Sequence, residues 1–466
     1  MVKRAALWSI ALAGVSVGVT FPREASAVRV WEEARAGWSP PGAGLSAGSL
    51  SLGAALTGST ASPDLLPPQF VPPLASGGHV GASRFPEGVA DRWLDVGFYT
   101  QPQFTFQSGY NTDSTSNFSL PPSVGMQRTR FVFHAQAHPL LQVRAEFNLS
   151  DRVDLLDAYA LVPIRRWLHV QLGQFRVPFS RQELTSGSRM QFADRQLWSG
   201  GANVSGVRFL PSYDQGIMAW GWAGPRDLFE YYVGVFNGKG PNSPFNLDAF
   251  FLYAGRIAVN PLGRPRSLQE GAINLSSAPT LAIGLNGATQ VRQVGLVTLP
   301  GDTSPVPNRI TVNSVGADVF FAAHGASAYG EVYFRDTRET DTASAPNTQS
   351  LGWLVQAGYF IPVTGLRNHL EVVARVQSFD PSNCYSQSVG TDCGVRSPGS
   401  SSREVYRDFM FARAYTFGLT WYQLGHGFKV QAQYTINTEH RDIAGRAVGS
   451  GVVDNDLFTL LLTGSL

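Results

Sequence analysis

This sequence is short of several things. Charged residues fill only 15% of its 466 positions, sparse for a surface bathed in water. Lysine is nearly missing: Lys3, Lys239 and Lys429 are the whole supply. Beyond residue 28 no apolar run approaches the roughly 18–20 residues of a spanning helix, which excludes a bundle of membrane helices. Cysteine occurs twice, at Cys384 and Cys393. Enzyme signatures are missing too, with no HExxH and no G-x-S-x-G. The stretch "GVFNGKG" at 234–240 has the wrong spacing for a phosphate-binding loop, and no Ser or Thr follows Lys239. The 8 histidines are scattered without ligand spacing, so no metal or cofactor is expected. A barrel hydrolase built on His134 with Asp157 or a serine is a remote enzymatic alternative.

What is plentiful is aromatic residues (12%), glycine (49) and proline (29). Mean hydropathy is close to zero. That mixture fits a soluble all-β protein, or a membrane β-barrel whose strands average an apolar and a polar face. The first residues choose an exported compartment. Lys3 and Arg4, the apolar stretch from Ala5 to Phe21 and the small residues Ala25–Ala27 predict a secretory signal over 1–27, with a membrane anchor helix as the alternative. Its removal takes away Lys3, Arg4, Arg23 and Glu24 and brings the formal charge from +2 to zero. No net-charge argument for nucleic acid remains. In an exported chain the pair Cys384 and Cys393 predicts a disulfide pinning a loop, and the nearest histidine, His369, lies outside that loop. Residues 28–92 are rich in Pro, Gly, Ala and Ser, sustain no apolar period and read as a disordered leader.

From Trp93 to the end, segments of period two recur. Sixteen are predicted: 94–107, 126–137, 140–149, 154–162, 167–175, 213–223, 228–237, 250–260, 280–290, 309–322, 326–336, 350–361, 368–379, 411–423, 427–438 and 455–466. Most are long enough for a tilted membrane strand, about 9–11 residues. The links alternate, with short turns such as His138–Pro139 between long loops such as 176–212. The links at 150–153 (short) and 261–279 (long) break that pattern. Sorting by parity is expected of an outer-membrane barrel and not of a sandwich. The fold class expected is a single transmembrane antiparallel β-barrel of about sixteen strands over 93–466. The closing segment "NDLFTLLLTGSL" would be the seam, with Phe458, Leu460, Leu462 and Leu466 toward lipid. Barrels of this class usually end on an aromatic residue, and Leu466 departs from that.

Candidate site residues are arginines, because a guanidinium stays charged and its fork of donors matches phosphate or carboxylate. Arg128 and Arg130 share one parity with His134 and Gln136. Two inward arginines repel, so a bound anion would relieve them; neutralisation by Glu146 or Asp157 is the alternative. Arg144 lies on the polar face of the next segment. The 176–212 link is long enough to fold into a pore and deliver Arg181, Arg189, Arg195 and Arg208, with Glu183 and Asp194 as internal partners. An external surface loop is the other possibility.

Several stretches resemble a family. "GQFRVPFSRQELTSGSRMQFADR" (173–195), "YYVGVFNGKG" (231–240), "AGRIAVNPLG" (254–263) and "MQRTRFVFHAQA" (126–137) are similar, in order and spacing, to motifs of the phosphate-selective porin O and P family. The likeness runs over 93–263, and the later half shares the strand rhythm. The resemblance implies a sixteen-stranded, trimeric channel in a Gram-negative outer membrane, surrounded by lipid and taking up small anions. It implies pore-lining roles for Arg128 and Arg130, and less directly for Arg181, Arg189 and Arg195. Two features depart from it. The leader is Pro/Gly-rich where many relatives carry a coiled coil, and the lysine-rich mouth tied to phosphate specificity has little counterpart. The function expected is therefore a passive anion-preferring porin. A general porin, or a structural or adhesive barrel displaying the 380–410 loop, is the alternative.

Overall fold

The computed structural model describes residues 92–465 apart from 109–120, 198–202, 205–206, 244, 247, 249, 265–267, 274–277, 298–305, 340–347, 381–410 and 441–455. The expected signal, the leader up to residue 91, the Cys384–Cys393 loop and Leu466 of the expected seam lie outside these residues. The strands run β1 (Trp93–Gln107), β2 (Ser123–His138), β3 (Leu141–Asn148), β4 (Asp154–Arg165), β5 (Leu168–Arg176), β6 (Asn203–Val204), β7 (Val207–Arg208), β8 (Tyr213–Ala223) and β9 (Phe229–Phe236). They continue as β10 (Leu252–Val259), β11 (Thr280–Val297), β12 (Val306–Ala323), β13 (Ala326–Glu339), β14 (Thr348–Phe360), β15 (Leu370–Asp380), β16 (Phe411–Tyr422), β17 (Phe428–His440) and β18 (Leu457–Ser465). Sixteen of them close into one antiparallel barrel, each pairing with its neighbours in sequence, while β6 and β7 form a separate small ribbon between β5 and β8. Each of the sixteen expected segments corresponds to one barrel strand. The largest difference in length is at β11, 18 residues long, which extends well past 280–290.

The barrel closes where the first strand meets the last. Gln103 pairs with Leu461, Phe104 with Leu460 and Phe106 with Phe458. Hydrocarbon offers no hydrogen bonds, so an open edge would leave each backbone amide unpaired at several kcal/mol. Burial along the strands is inverted relative to a soluble protein. On β17 the buried side chains are Lys429, Gln431, Gln433 and Thr435, while Phe428, Tyr434 and Ile436 are exposed. On β18 Thr459, Leu461 and Thr463 point inward, and Leu460 and Leu462 outward. Polar in and apolar out is what a membrane barrel requires. No helix among the described residues is long and apolar enough to cross a membrane, which says nothing against crossing by strands.

The interior is not an empty tube. Tyr159, Phe175, Trp220, Trp222, Tyr232 and Phe236 form a buried apolar cluster on the inner face of β4, β5, β8 and β9. The His169 ring stacks on Trp220, with centroids 3.9 Å apart and planes at 2°. A second cluster joins Phe179, Phe209 and Leu210 of the long loop to Phe320, Tyr329, Tyr333, Phe360 and Tyr422 of the far wall. Side chains thus fill much of the lumen and leave confined spaces between them.

Two local features shape the wall. Pro102 has no N–H to give the ladder, and the register slips there: Gln101 pairs with Arg128 but Pro102 with Met126, so Gln127 is an extra residue. The bulge lets two consecutive side chains reach the lumen. Gln127 bonds Asp194 at 2.9 Å, and Arg128 bonds Gln101 at 2.9 Å. The second feature is Gly173 on β5, at φ +133°, where an added Cβ would lie 2.2 Å from the carbonyl oxygen of Ala158. Gly173→Ala is expected to destabilise the barrel by about 1–3 kcal/mol through backbone strain and overlap. The measurement is the temperature at which the folded band shifts on a detergent gel. An unchanged transition would mean that β4 and β5 can separate to admit the methyl group.

Candidate functional site

The long link between β5 and β8 folds inward. Ser180 caps a single helical turn, Arg181–Leu184, by accepting from the Glu183 amide at 3.1 Å. A 3-10 turn follows at Gly187–Arg189. The chain then crosses to the wall opposite β5 and is fastened there by hydrogen bonds. Gln191 donates to Glu371 at 2.7 Å, and its carbonyl accepts from Gln431 at 2.6 Å. The Ala193 amide donates to Gln433 at 2.9 Å and the Leu197 amide to Gln377 at 3.0 Å. Near the seam Gln101 donates to the Gly187 carbonyl at 3.3 Å and Gln127 to that of Ala193 at 3.0 Å. Glutamine recurs because a long neutral side chain can reach a backbone group across the lumen without burying a charge.

A second segment enters from the short-turn end. The link between β10 and β11 sends residues 268–273 into the barrel, where Glu270 is 2% exposed and Ile273 is buried. Glu270 accepts from Gln182 at 2.7 Å, from the Gln191 amide at 2.9 Å and from Gln356 at 3.1 Å. Loop and insert therefore meet inside the barrel.

The expected arginines separate into groups. Arg130 and Arg144 face inward but stand in an ion-pair chain along the wall. Arg130 bonds Glu146 at 2.6 Å, and Arg144 bonds Glu146 at 2.6 Å and Asp157 at 3.0 Å. Arg181 is buried with its guanidinium 4.6 Å above the Phe320 ring, and burial lowers its pKa. Arg189 is half-buried on the 3-10 turn, and burial pushes its pKa down to about 10. Arg208 lies on β7, its side chain outside the described residues. Arg128 and Arg195 come together. With Arg375 of β15 and Asp194 they line a cavity of about 500 Å³ that also touches Gln377 and Asn437. Among the described residues no carboxylate oxygen lies within 4 Å of these three guanidiniums. Arg195 is held by the carbonyls of Gln182 and Thr185. Arg375 donates to the Asp194 carbonyl at 3.0 Å and sits 4.4 Å over the Phe192 ring. Burial lowers the Arg195 pKa, partly offset by Glu183.

A second cavity, of about 620 Å³, lies against β4, β8, β11 and β12. Its lining carries Arg152, Lys239 and Arg292 against Asp154 and Asp214, and two of the cations are paired, Arg152 with Asp154 and Lys239 with Asp248.

A sequence model of the family described as phosphate-selective porin O and P matches residues 96–449. The chain belongs to that family. The match extends past 263, so the later half shares more than strand rhythm with this porin family. Among solved structures, OmpT of Vibrio cholerae, an outer membrane protein in its trimer form, aligns with 80% of this chain and 99% of its own at 12% identity and a TM-score of 0.50. A loop L8 deletion mutant of the same protein aligns equally well, over 80% and 99%, at 12% identity and a TM-score of 0.50. An anion-selective porin from Comamonas acidovorans covers 81% of this chain and 100% of its own at 11% identity, but its TM-score of 0.47 is too low to bear on selectivity. No curated protein matches the sequence. Fold and family together make this an outer-membrane porin.

Three parts of this porin's site were missed in the sequence. Arg375 shares its parity with Glu371 and Gln377, so the alternation along β15 was a usable signal. Gln127 has the wrong parity, and only the bulge opposite Pro102 brings it inward. The insert announced itself as a long link where a short one was due, but nothing in its composition points into the lumen. The ion-pair chain separates wall from pore. Arg130→Met is expected to cost about 1–3 kcal/mol, because Glu146 loses a buried charged partner, whereas Arg128→Met leaves no carboxylate unpaired. Detergent-gel melting of the two variants checks this, and equal losses would contradict it.

Proposed function

We propose that this porin passes small solutes by diffusion, without catalysis, and prefers anions. The observation that carries the reading is the cavity shared by Arg128, Arg195 and Arg375, three cations against the single acid Asp194. Selectivity follows the charges at the narrowest polar space, since water and salt screen those beyond about 8–10 Å. Guanidiniums this close repel one another, and an anion among them lowers that repulsion. Their planar donors suit carboxylate as well as phosphate. Lysine is placed elsewhere: Lys239 pairs with Asp248, and Lys429 is buried against the Met190 carbonyl. The reading is therefore small anions generally rather than phosphate alone. A homotrimer in a Gram-negative outer membrane completes it, by analogy with the trimer form of the OmpT neighbour, and cross-linking in mild detergent tests that assembly.

A second reading has its own support. Loop, insert and aromatic clusters fill much of the lumen, as they would in a structural barrel that conducts nothing. Planar-bilayer recording separates the two. Steady conductance with a reversal potential favouring chloride over potassium is expected. One unit charge about 10 Å from the path, at an effective dielectric constant of about 20, is worth about 1.7 kcal/mol, or about 0.6 kcal/mol after one Debye length of screening. The charge favours chloride and disfavours potassium by that amount each, so Arg128→Ala should lower the anion preference about eightfold while the barrel stays folded. A silent bilayer would favour the structural reading, and a cation-selective wild type would leave a porin without anion preference.

A further inference from the structure

The arginine cavity is built by a loop from one end of the barrel, yet that loop is held by a residue from the other. Glu270, on the insert between β10 and β11, is 2% exposed and has no cation within 4 Å among the described residues. Its carboxylate instead accepts three neutral donors. Two belong to the loop, Gln182 Nε2 at 2.7 Å and the Gln191 amide at 2.9 Å, and one to the wall, Gln356 Nε2 at 3.1 Å. The Glu270 amide donates in turn to the Arg189 carbonyl at 3.3 Å. A carboxylate tolerates burial when such donors replace its water.

Gln182 passes this hold onward. It is fully buried. While its Nε2 bonds Glu270, its Oε1 accepts from the Gln196 amide at 2.8 Å, and its backbone carbonyl accepts from Arg195 Nη1. Arg195 is a member of the arginine cavity. We propose that Glu270 is a positioning residue for the pore, a strut from the short-turn end that acts through Gln182 to set the place of Arg195. This rests on the anion-pore reading for its effect on selectivity, but not for its effect on the loop.

The sign of one substitution tests it. Glu270→Gln removes a negative charge that acts on Arg375 of the cavity and on Lys429. If Glu270 acted only as background charge, anion preference would rise. As a strut, its amide replacement turns an N–H₂ toward donors, the loop loosens and Arg195 leaves its place. The chloride-to-potassium ratio is then expected to fall at least about twofold, the lower end of what one net hydrogen bond supplies. Gln182→Met changes no charge and nearly conserves volume, and should reproduce the fall. The double variant should be no worse than either single, because both cut one relay.

Single-channel conductance and open-channel noise are read in the same records and report loop position whatever the selectivity. A wild type without anion preference would defeat the anion reading alone, and increased noise in both variants would still support the strut. A raised anion ratio in Glu270→Gln, wild-type noise in Gln182→Met, or additive effects in the double variant would each overturn the proposal. If Glu270→Gln fails to fold, Gln182→Met alone decides it.

Discussion

Everything in this protein depends on one constraint: in hydrocarbon a backbone N–H has no partner except another part of the chain. A sheet can meet it only by closing, and this one closes by pairing β1 with β18. Closure fixes the rest. Every strand must present one face to lipid and one to the lumen, so alternation is enforced along sixteen strands. Links must fall alternately at two ends. The inner face, screened from lipid, is free to carry polar groups, and there the residues that distinguish this barrel from others of its shape are found.

The lumen has a different problem. Polar side chains crowd it, and each buried one needs a partner. The structure answers with long neutral side chains from the wall. Gln101, Gln127, Gln356, Gln377, Gln431 and Gln433 all bond the loop or the insert. Charges are treated in two ways. Along β2–β4 they cancel in the Arg130–Glu146–Arg144–Asp157 chain. Around the smaller cavity they do not, and Arg128, Arg195 and Arg375 keep their field directed into the space they enclose. Desolvation of an unpaired cation is unfavourable; backbone carbonyls and the ring of Phe192 soften it here.

How much of this was legible in the sequence follows from range. Alternation is a local signal, so "LLQVRAEFNL" declared β3 and "GFKVQAQYTINTE" declared β17 without help. Arg128 and Arg130 share one parity and both bond groups on the inner side of the wall, because a strand offers a side chain only two directions. What the sequence could not give was partnership. Arg130 and Arg128 are two residues apart and look alike, yet one is paired with Glu146 and the other borders a cavity. That difference depends on the reach across β3, where Arg130 faces Asn148 and bonds Glu146 two positions along, and on a slip of one residue at Pro102. The insert was visible only as an irregular length. Its destination is set by contacts with Gln182 and Gln356, 88 and 86 residues away.

Those separations have a consequence for assembly. The loop leaves β5 early in the chain, but the Ala193 amide waits for Gln433, 240 residues later, and Gln191 for Glu371, 180 residues later. The insert enters from the opposite end and touches the loop only within a closed wall. Each of these contacts needs a distant part of the chain in place, and closing so long a stretch of chain is slow. The loop can be fastened only once the strands that carry its partners are present. A barrel caught before its seam closes would be a sheet with its polar face open and two unpaired edges. Its apolar face has to be kept from water and its free edges from other edges until β18 arrives.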